Sequence, residues 1–347
     1  MRLDGKGRAD TMGNVKLKDI ADALQVSTVT VSNALAGKKG VSDEVRETVL
    51  QTARAMGYNL SKYEKGKDST KIGVLAPDKY MGVGSSFYWA LYQQVIYAAS
   101  KSRSLTMFEI LDEENEEANR FPRMVQENMI DGLIVIGWVK QDYIRKLVKK
   151  SDKLPILLLD SRIRDIPCDA VLSHNYIGMY QMTRYLLERG HTGIAFAGSI
   201  RDNDNIMDRY FGYRKALLEA RIPARKEWRL EDRNLLTGEV RVELPKQMPT
   251  AFACSSDLAA GRLYDALAEK GYRVPEDISI VGYDDYLFGH PFAGQLTTYH
   301  VDLEEMAENA VKLLLGKIRG EEKKCMTLYA DGRIVERESV KTLGLNA

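Results

Sequence analysis

The chain has 347 residues, room for two or three domains rather than one. Hydrophobic residues make up 44% and charged residues 29%, a globular balance, and the net charge of +1 excludes a uniformly basic nucleic-acid coat. That charge is unevenly placed: residues 1–67 carry 12 Lys/Arg against 8 Asp/Glu, or +4, so the remainder sums to −3. A mildly basic N-terminal end on a mildly acidic body suits one nucleic-acid-facing module. No stretch approaches the ~18 apolar residues of a membrane span, and the start, MRLDGKGRAD, lacks the apolar core of a signal peptide. Cys168, Cys254 and Cys325 are widely spaced, with no Cys-x-x-Cys, and read as inert thiols in a reducing compartment. His174, His191, His290 and His300 show no zinc spacing. The expectation is a cytoplasmic protein with neither metal nor cofactor.

Residues 1–13 read as a flexible lead-in. Residues 14–60 carry short helical patterns and no convincing strand. Leu17, Ile20, Ala21 and Leu24 fall at i, i+3, i+4 and i+7, one apolar helix face. Gln25-Val26 makes a short turn. Ser27 suits the N-cap of a second helix, Thr28 to Leu35, because its hydroxyl can accept a first-turn N–H. Val31, Ala34 and Leu35 can pack inward, which leaves Thr28, Val29, Thr30, Ser32 and Asn33 for solvent or a partner. Gly37 ends that helix. Ser42 caps a third, with Asp43 and Glu44 in its positive first turn, and Val45, Val49, Thr52, Ala53 and Met56 carry it to Gly57.

Two short helices joined by a tight turn, with small Ala21 at the contact, match a helix-turn-helix, whose second helix fits the major groove. Thr methyls and Val29 suit the thymine methyl, Asn33 suits adenine or a phosphate, and Lys16, Lys38, Lys39 and Lys62 can supply salt-dependent phosphate contacts. A three-helix protein-interaction module is the alternative that the pattern leaves open.

Residues 61–71, SKYEKGKDSTK, have linker composition. From Ile72 to the end, apolar runs (72–77, 105–110, 131–137, 154–160, 193–198, 250–256, 278–284) alternate with helix-length stretches (87–102, 118–129, 142–150, 177–190, 207–220, 258–271, 302–319). That rhythm is α/β, with parallel sheets covered on both faces. Its length suits two lobes, with ligands at the C-terminal ends of strands.

The stretch VKLKDIADALQVSTVTVSNALAGKKGVSDEVRETVLQTARAMGYNL resembles the headpiece of the LacI/GalR family of regulators. The telling pieces are D-I-A, V-S-x-x-T-V-S-x-A-L, V-S-x-x-x-R-x-x-V and A-x-x-x-G-Y. The resemblance continues in Leu187-Glu188-Arg189-Gly190-His191, Arg209-Tyr210-Phe211-Gly212-Tyr213, Val274 to Asp285, Leu296-Thr297-Thr298 and Arg337-Glu338-Ser339. It implies a helix-turn-helix headpiece on a two-lobed, periplasmic-binding-protein-like core spanning 72–347. Lobe 1 would hold about 72–170 and 300–328, and lobe 2 about 171–299 and 329–343, with crossings near 170, 299 and 329. It also implies that Thr28, Val29 and Asn33 read bases while Ser27, Thr30 and Ser32 contact the DNA backbone. The linker departs from the family's hinge helix: no leucine stands in it, Gly66 weakens a helix, and Lys65 and Lys67 add charge. The expectation is a poorly ordered hinge that leans on phosphates, with Tyr63 as a partial wedge.

The same resemblance nominates an effector cleft lined by Phe87, Tyr88, Asp160, Asn175, Arg209, Ser256, Asp257 and Asp284. Arg209 offers five fixed donors, and Asp284 is an acceptor at a strand end. Ser256 and His174 depart from an Asn and an Asp of the family. Several alternatives stay open: Arg209 as a structural ion pair, Asp284 or Asp285 as an N-cap, Phe87 or Tyr88 as lobe core, and Trp138 as cleft or core. Met179 falls near an Arg of sugar-responsive relatives. Gly82-x-Gly84 lacks the third glycine of a dinucleotide loop, and no nucleophile-base arrangement emerges, so an enzyme is not expected. The implied function is a dimeric repressor of palindromic operator DNA, controlled by a sugar-like metabolite. A solute-binding protein and a constitutive regulator are the alternatives.

Overall fold

The computed structural model describes residues 15–36, 40–58, 69–81, 86–151, 154–234, 239–287, 289–321 and 324–344. The lead-in, Lys38, Lys39, Lys62 and Tyr63, nearly all of the linker, and the Gly82–Gly84 loop lie outside them. The chain divides into two units, Met1–Ser69 and Thr70–Ala347.

The first unit is three helices: α1 (Leu17–Leu24), α2 (Thr28–Leu35) and α3 (Asp43–Ala55). Each start has a chemical cause. The Asp19 carboxylate accepts the Lys16 N–H at 2.7 Å, Ser27 Oγ accepts from Thr30 N–H, and Ser42 Oγ accepts from Val45 N–H. Gln25 adopts the left-handed conformation, φ 53°, that turns the chain sharply from α1 into α2. Ile20, Ala21, Val31, Ala34, Leu35, Val49 and Ala53 form the shared core.

In the second unit two six-stranded sheets make two lobes. The elements in chain order are β1 (Lys71–Pro77), α4 (Ser86–Lys101), β2 (Leu105–Leu111), α5 (Glu113–Glu117), α6 (Arg123–Gln126), β3 (Gly132–Ile136), α7 (Gln141–Lys150), β4 (Ile156–Leu159), β5 (Asp169–Ser173), α8 (Asn175–Glu188), β6 (Ile194–Ala197), α9 (Asp204–Glu219), β7 (Arg229–Leu230), β8 (Ala251–Cys254), α10 (Asp257–Glu269), β9 (Ser279–Asp284), β10 (Thr297–Val301), α11 (Leu303–Ile318), β11 (Thr327–Ala330) and β12 (Gly332–Val335). Lobe 1 has strand order β11-β5-β4-β3-β1-β2, and lobe 2 has β12-β10-β9-β8-β6-β7. All pairings are parallel except β10 with β12.

The continuous apolar runs reflect burial on both faces. Along β3, Ile134 and Ile136 join the large cluster shared with α4 and α11, while Leu133 and Val135 join the opposite cluster with α7. Ile280 likewise faces α10 while Val281 and Tyr283 face α8 and α9.

The chain crosses between lobes after Ser173, after Val301 and after Ala330, one to three residues later than expected from the sequence. β5 and β11 run their full length in lobe 1, and β10 completes its pairing in lobe 2, before the chain leaves. Lys71, assigned to the linker, opens β1. Of the helix expected over 118–129 only α6, Arg123–Gln126, is helical, with Pro122 immediately before it, and the separate short α5 ends at Glu117. Strands β5 and β10–β12 are too short and too polar to stand out in the pattern.

Helices α8 and α9 touch backbone to backbone. A Cβ on Gly212 would collide with the Tyr176 carbonyl and Tyr180 nitrogen. Gly212→Ala is therefore expected to destabilise the core by roughly 1–3 kcal/mol by forcing the two helices apart, measured as a shifted denaturant midpoint. An unchanged midpoint would show that the contact can relax.

Candidate functional sites

Helix α2 presents a compact outward face. Ser27, Thr28 and Val29 are exposed, and Thr30, Ser32 and Asn33 are half-buried. Val29 is 65% exposed, an apolar side chain that solvent alone does not favour. Ser27 Oγ also lies 2.8 Å from Thr30 Oγ1, so the two hydroxyls hold one another at the helix start. Lys16 is exposed at the start of α1. The predicted DNA-contact residues thus share one small module, except Lys38, which is outside the described residues.

The second candidate is a cavity of about 190 Å³ between the two sheets. It lies at the C-terminal ends of the strands, where an open parallel sheet leaves polar backbone and loops free to hold a ligand. Lobe 1 supplies Lys79, Tyr80, Phe87, Tyr88 and Asp160; lobe 2 supplies Asn203, Asn205, Arg209, Arg233, Ser256, Asp284 and Tyr286 among others. Tyr80 and Tyr88 rings lie 4.4 Å apart, with Phe87 edge-on to Tyr88 at 5.2 Å. Gly137 makes this possible: it ends β3 at φ 76°, and a Cβ there would meet both tyrosine rings. Phe87 and Tyr88 also pack on the apolar cluster beneath, so each serves core and cleft together.

Arg209 is 5% exposed and held on every side. Its Nε donates to Asn175 Oδ1 at 2.7 Å and its Nη1 to the Ser255 carbonyl at 2.5 Å. The guanidinium lies 3.8 Å over the Tyr283 ring. Nη1 is also 3.3 Å from Asp284 Oδ1, near enough for attraction but not aligned as a hydrogen bond, and that oxygen has no hydrogen-bond partner. Asp160 is similar: Oδ2 accepts from Tyr88 Oη at 2.9 Å while Oδ1 has no partner. Burial outweighs the Arg209 charge at both carboxyls, pushing Asp160 up to about 6 and Asp284 up to about 7. Asp160 and Asp284 sit at φ 61° and 111°, strained for non-glycine residues. Strained, partly unsatisfied carboxylates at two strand ends are what a site awaiting donors presents.

A second cation, Arg233, lines the same lobe 2 side of the cavity. Arg233 Nε and Nη2 each donate at 3.1 Å to Asp232, and its Nη1 reaches Asp202 at 3.2 Å. Asp232 is fully buried; burial would raise its carboxyl, but Arg233, Ser255 and Ser199 bring it below the ordinary value. Asn205 spans the cleft, donating to the Asp160 carbonyl at 2.9 Å.

Six of the eight nominated effector residues line this cavity; Asn175 and Asp257 do not. Asn175 stands behind Arg209, with Nδ2 donating to Asn205 at 3.1 Å. Asp257 turns away: Oδ1 accepts from Thr298 Oγ1 at 2.6 Å and Oδ2 from the Tyr286 N–H at 2.8 Å. Ser256 caps α10 through the Ala259 N–H and lines the cavity as well. Neither Asp284 nor Asp285 is an N-cap; Asp285 binds His300 Nδ1 at 3.0 Å and Arg337 Nη2 at 2.7 Å. Trp138 borders a small adjoining pocket, with Lys79 Nζ 4.9 Å above its ring. Met179 is fully buried in the core. Sequence reasoning missed Tyr80, Asn205 and Arg233. The residues Asp202-Asn203-Asp204-Asn205, polar and just past β6, were a signal that could have found one of them.

Asp160 generates a pH test. A carboxyl raised in the fold contributes stability below its unfolded value near 3.8, and that contribution is lost as pH climbs through about 6. Asp160→Asn should flatten the ligand-free stability profile across that window, by about 3 kcal/mol in total. Parallel profiles for the two proteins would contradict the assignment.

Residues 16–60 match the model of bacterial regulatory proteins, lacI family, and residues 183–340 match the periplasmic binding protein-like domain. The chain is 28% identical over 334 residues to the HTH-type transcriptional repressor PurR of Mannheimia succiniciproducens, covering 94% of this chain and 99% of that one. A LacI family transcriptional regulator from Enterococcus faecium, solved with bound ribose, is 26% identical with a TM-score of 0.63, covering 79% of this chain and all of that one. The lac repressor dimer bound to operator shares the fold at 22% identity, with a TM-score of 0.64 over 94% of this chain and 99% of that one.

Proposed function

The chain belongs to the lacI family of bacterial regulatory proteins, and from that premise we propose a cytoplasmic repressor that reads operator DNA through α2 and answers to a small metabolite held in the cleft. The observation that carries the reading is the pairing, in one chain, of a helix-turn-helix with Val29 exposed and a cleft whose buried carboxylates are incompletely satisfied. Thr28, Val29 and Asn33 read bases, mainly through methyl contacts and one amide, while Ser27, Thr30, Ser32, Lys16 and Lys38 hold the backbone.

The effector is a sugar or a close derivative. The cleft's lining sets Lys79, Arg209 and Arg233 against Asp160, Asp202 and Asp284, cations and carboxyls side by side, with no single sign that calls for a strongly ionic ligand. Its volume is below the ~300–1,000 Å³ of pockets for drug-sized ligands, so a single ring fits. Hydroxyls would donate to Asp160 Oδ1 and Asp284 Oδ1, and Tyr80, Phe87 and Tyr88 offer a ring face. Asn175 acts by fixing Arg209.

The protein acts as a homodimer on a palindromic site, since two-fold proteins read two half-sites about one turn apart. Edge strand β2 and its neighbour α4 leave Leu105, Ile110, Trp89 and Tyr97 exposed, apolar area suited to a second copy.

Two experiments check this. Thermal shift against a panel of monosaccharides should find a stabilising ligand, and Arg209→Ala should abolish that shift while operator binding persists; no response to any sugar would contradict the effector reading. On DNA, Thr28→Ala and Asn33→Ala should relax base preference, each site contact being worth about 1–3 kcal/mol, whereas Lys16→Ala should weaken all sequences alike and lower the salt slope by about 1. Identical behaviour of the three variants would refute the placement of α2 in the groove.

A further inference from the structure

Two of the three cysteines, Cys168 and Cys325, stand just before the paired strands β5 and β11 at the edge of the lobe 1 sheet. β11 pairs in parallel with β5, setting Thr327 opposite Ala170. The strands stay together one step back: the Ala170 N–H donates to Met326 O at 2.9 Å, and the Met326 N–H donates to Asp169 Oδ1 at 2.7 Å. One residue further back stand Cys168 and Cys325. Neighbours in parallel register send their side chains to one face from strands ~4.8 Å apart, within the ~4.4–6.8 Å Cα separation of disulfides. The alternation agrees: Asp169 faces Lys317 Nζ at 3.4 Å, whereas Cys168 and Ala170 share the apolar cluster under α7. Both thiols are free, Cys325 exposed and Cys168 half-buried.

We propose that Cys168 and Cys325 are a modification site, forming a reversible intramolecular disulfide with low-molecular-weight disulfides such as oxidised glutathione. The exposed Cys325 thiolate attacks one sulfur of the small disulfide, releasing one thiol and leaving a mixed disulfide. The Cys168 thiolate then displaces the second thiol. Two protein thiols are oxidised by two electrons, their two protons leave, and the small disulfide is reduced to two thiols. Burial, with Cys325 and Asp169 beside it, pushes the Cys168 thiol up to about 12, so the second step accelerates in alkaline solution. Position gives the bond its consequence. β5 leads into the crossing at His174 and β11 into the crossing at Asp331, and the His174 ring stacks on Tyr329 at 4.9 Å between them. The disulfide ties together the strands that feed two of the three inter-lobe crossings.

The test incubates the reduced full chain with oxidised glutathione and maps its peptides under non-reducing conditions. The expected product is a single chain carrying a Cys168–Cys325 link, formed faster at alkaline than at neutral pH and reversed by dithiothreitol. Cys168→Ser should stop at a glutathione adduct on Cys325, and Cys325→Ser should take up little glutathione. A stable adduct on Cys325 of the unmutated chain in alkaline solution, or a link joining two chains, would overturn the proposal.

Discussion

A guanidinium buried under the cleft sets the terms for the whole effector site. Taking Arg209 out of water costs several kcal/mol unless its charge and donors are met. The fold meets them with parts of three elements: Asn175 from α8, the Ser255 carbonyl after β8, and Tyr283 and Asp284 from β9. Each partner fixes the place of its element, and α8 and α9 approach closely enough to require Gly212 between them. The guanidinium cannot satisfy everything. Asp284 Oδ1 and Asp160 Oδ1 remain without hydrogen-bond partners, and their backbones are held at positive φ. A ligand with several donors removes those penalties when it binds.

A ligand shifts an equilibrium only by its differential affinity for the two states. Tyr88 and Asp160 stand on lobe 1 and Arg209 and Asp284 on lobe 2, so full satisfaction of the ligand demands one separation of the lobes. Asn205 already reaches the Asp160 carbonyl across the gap. The three crossings after Ser173, Val301 and Ala330 turn any change in that separation into a change of lobe orientation. Coupling to DNA then has a definite form: the ligand alters operator affinity by the factor by which operator alters ligand affinity.

The headpiece was the most legible part of the chain. Apolar spacing, two serine caps and the Gln25-Val26 turn are local signals, and the helices stand within a residue of where those signals put them. The core's parallel strands were legible because burial on both faces writes continuous apolar runs. The short strands β5 and β10 carry Asp169, Thr297, Thr298 and His300, whose polar groups are met by tertiary partners that no local pattern shows. The same limit governed the cleft. Arg209 and Asp284 follow from strand-end chemistry and resemblance. Asp257 was misplaced because its sequence position after β8 says nothing of Thr298 and the Tyr286 N–H, which claim its carboxylate. Arg233 was invisible because its partners Asp232 and Asp202 make it a wall only after the lobe folds.

If cleft and operator share one coupling free energy, each ligand must change the other's affinity by the same factor. The direct measurement takes the sugar that stabilises the protein most and an operator fragment selected from random DNA by the protein itself. The operator Kd is measured with and without the sugar, and the sugar Kd with and without operator. The two ratios should be equal and differ from one by roughly 5–150-fold, and the operator ratio should collapse to one in Arg209→Ala. A sugar that binds tightly while leaving the operator Kd unchanged would contradict it.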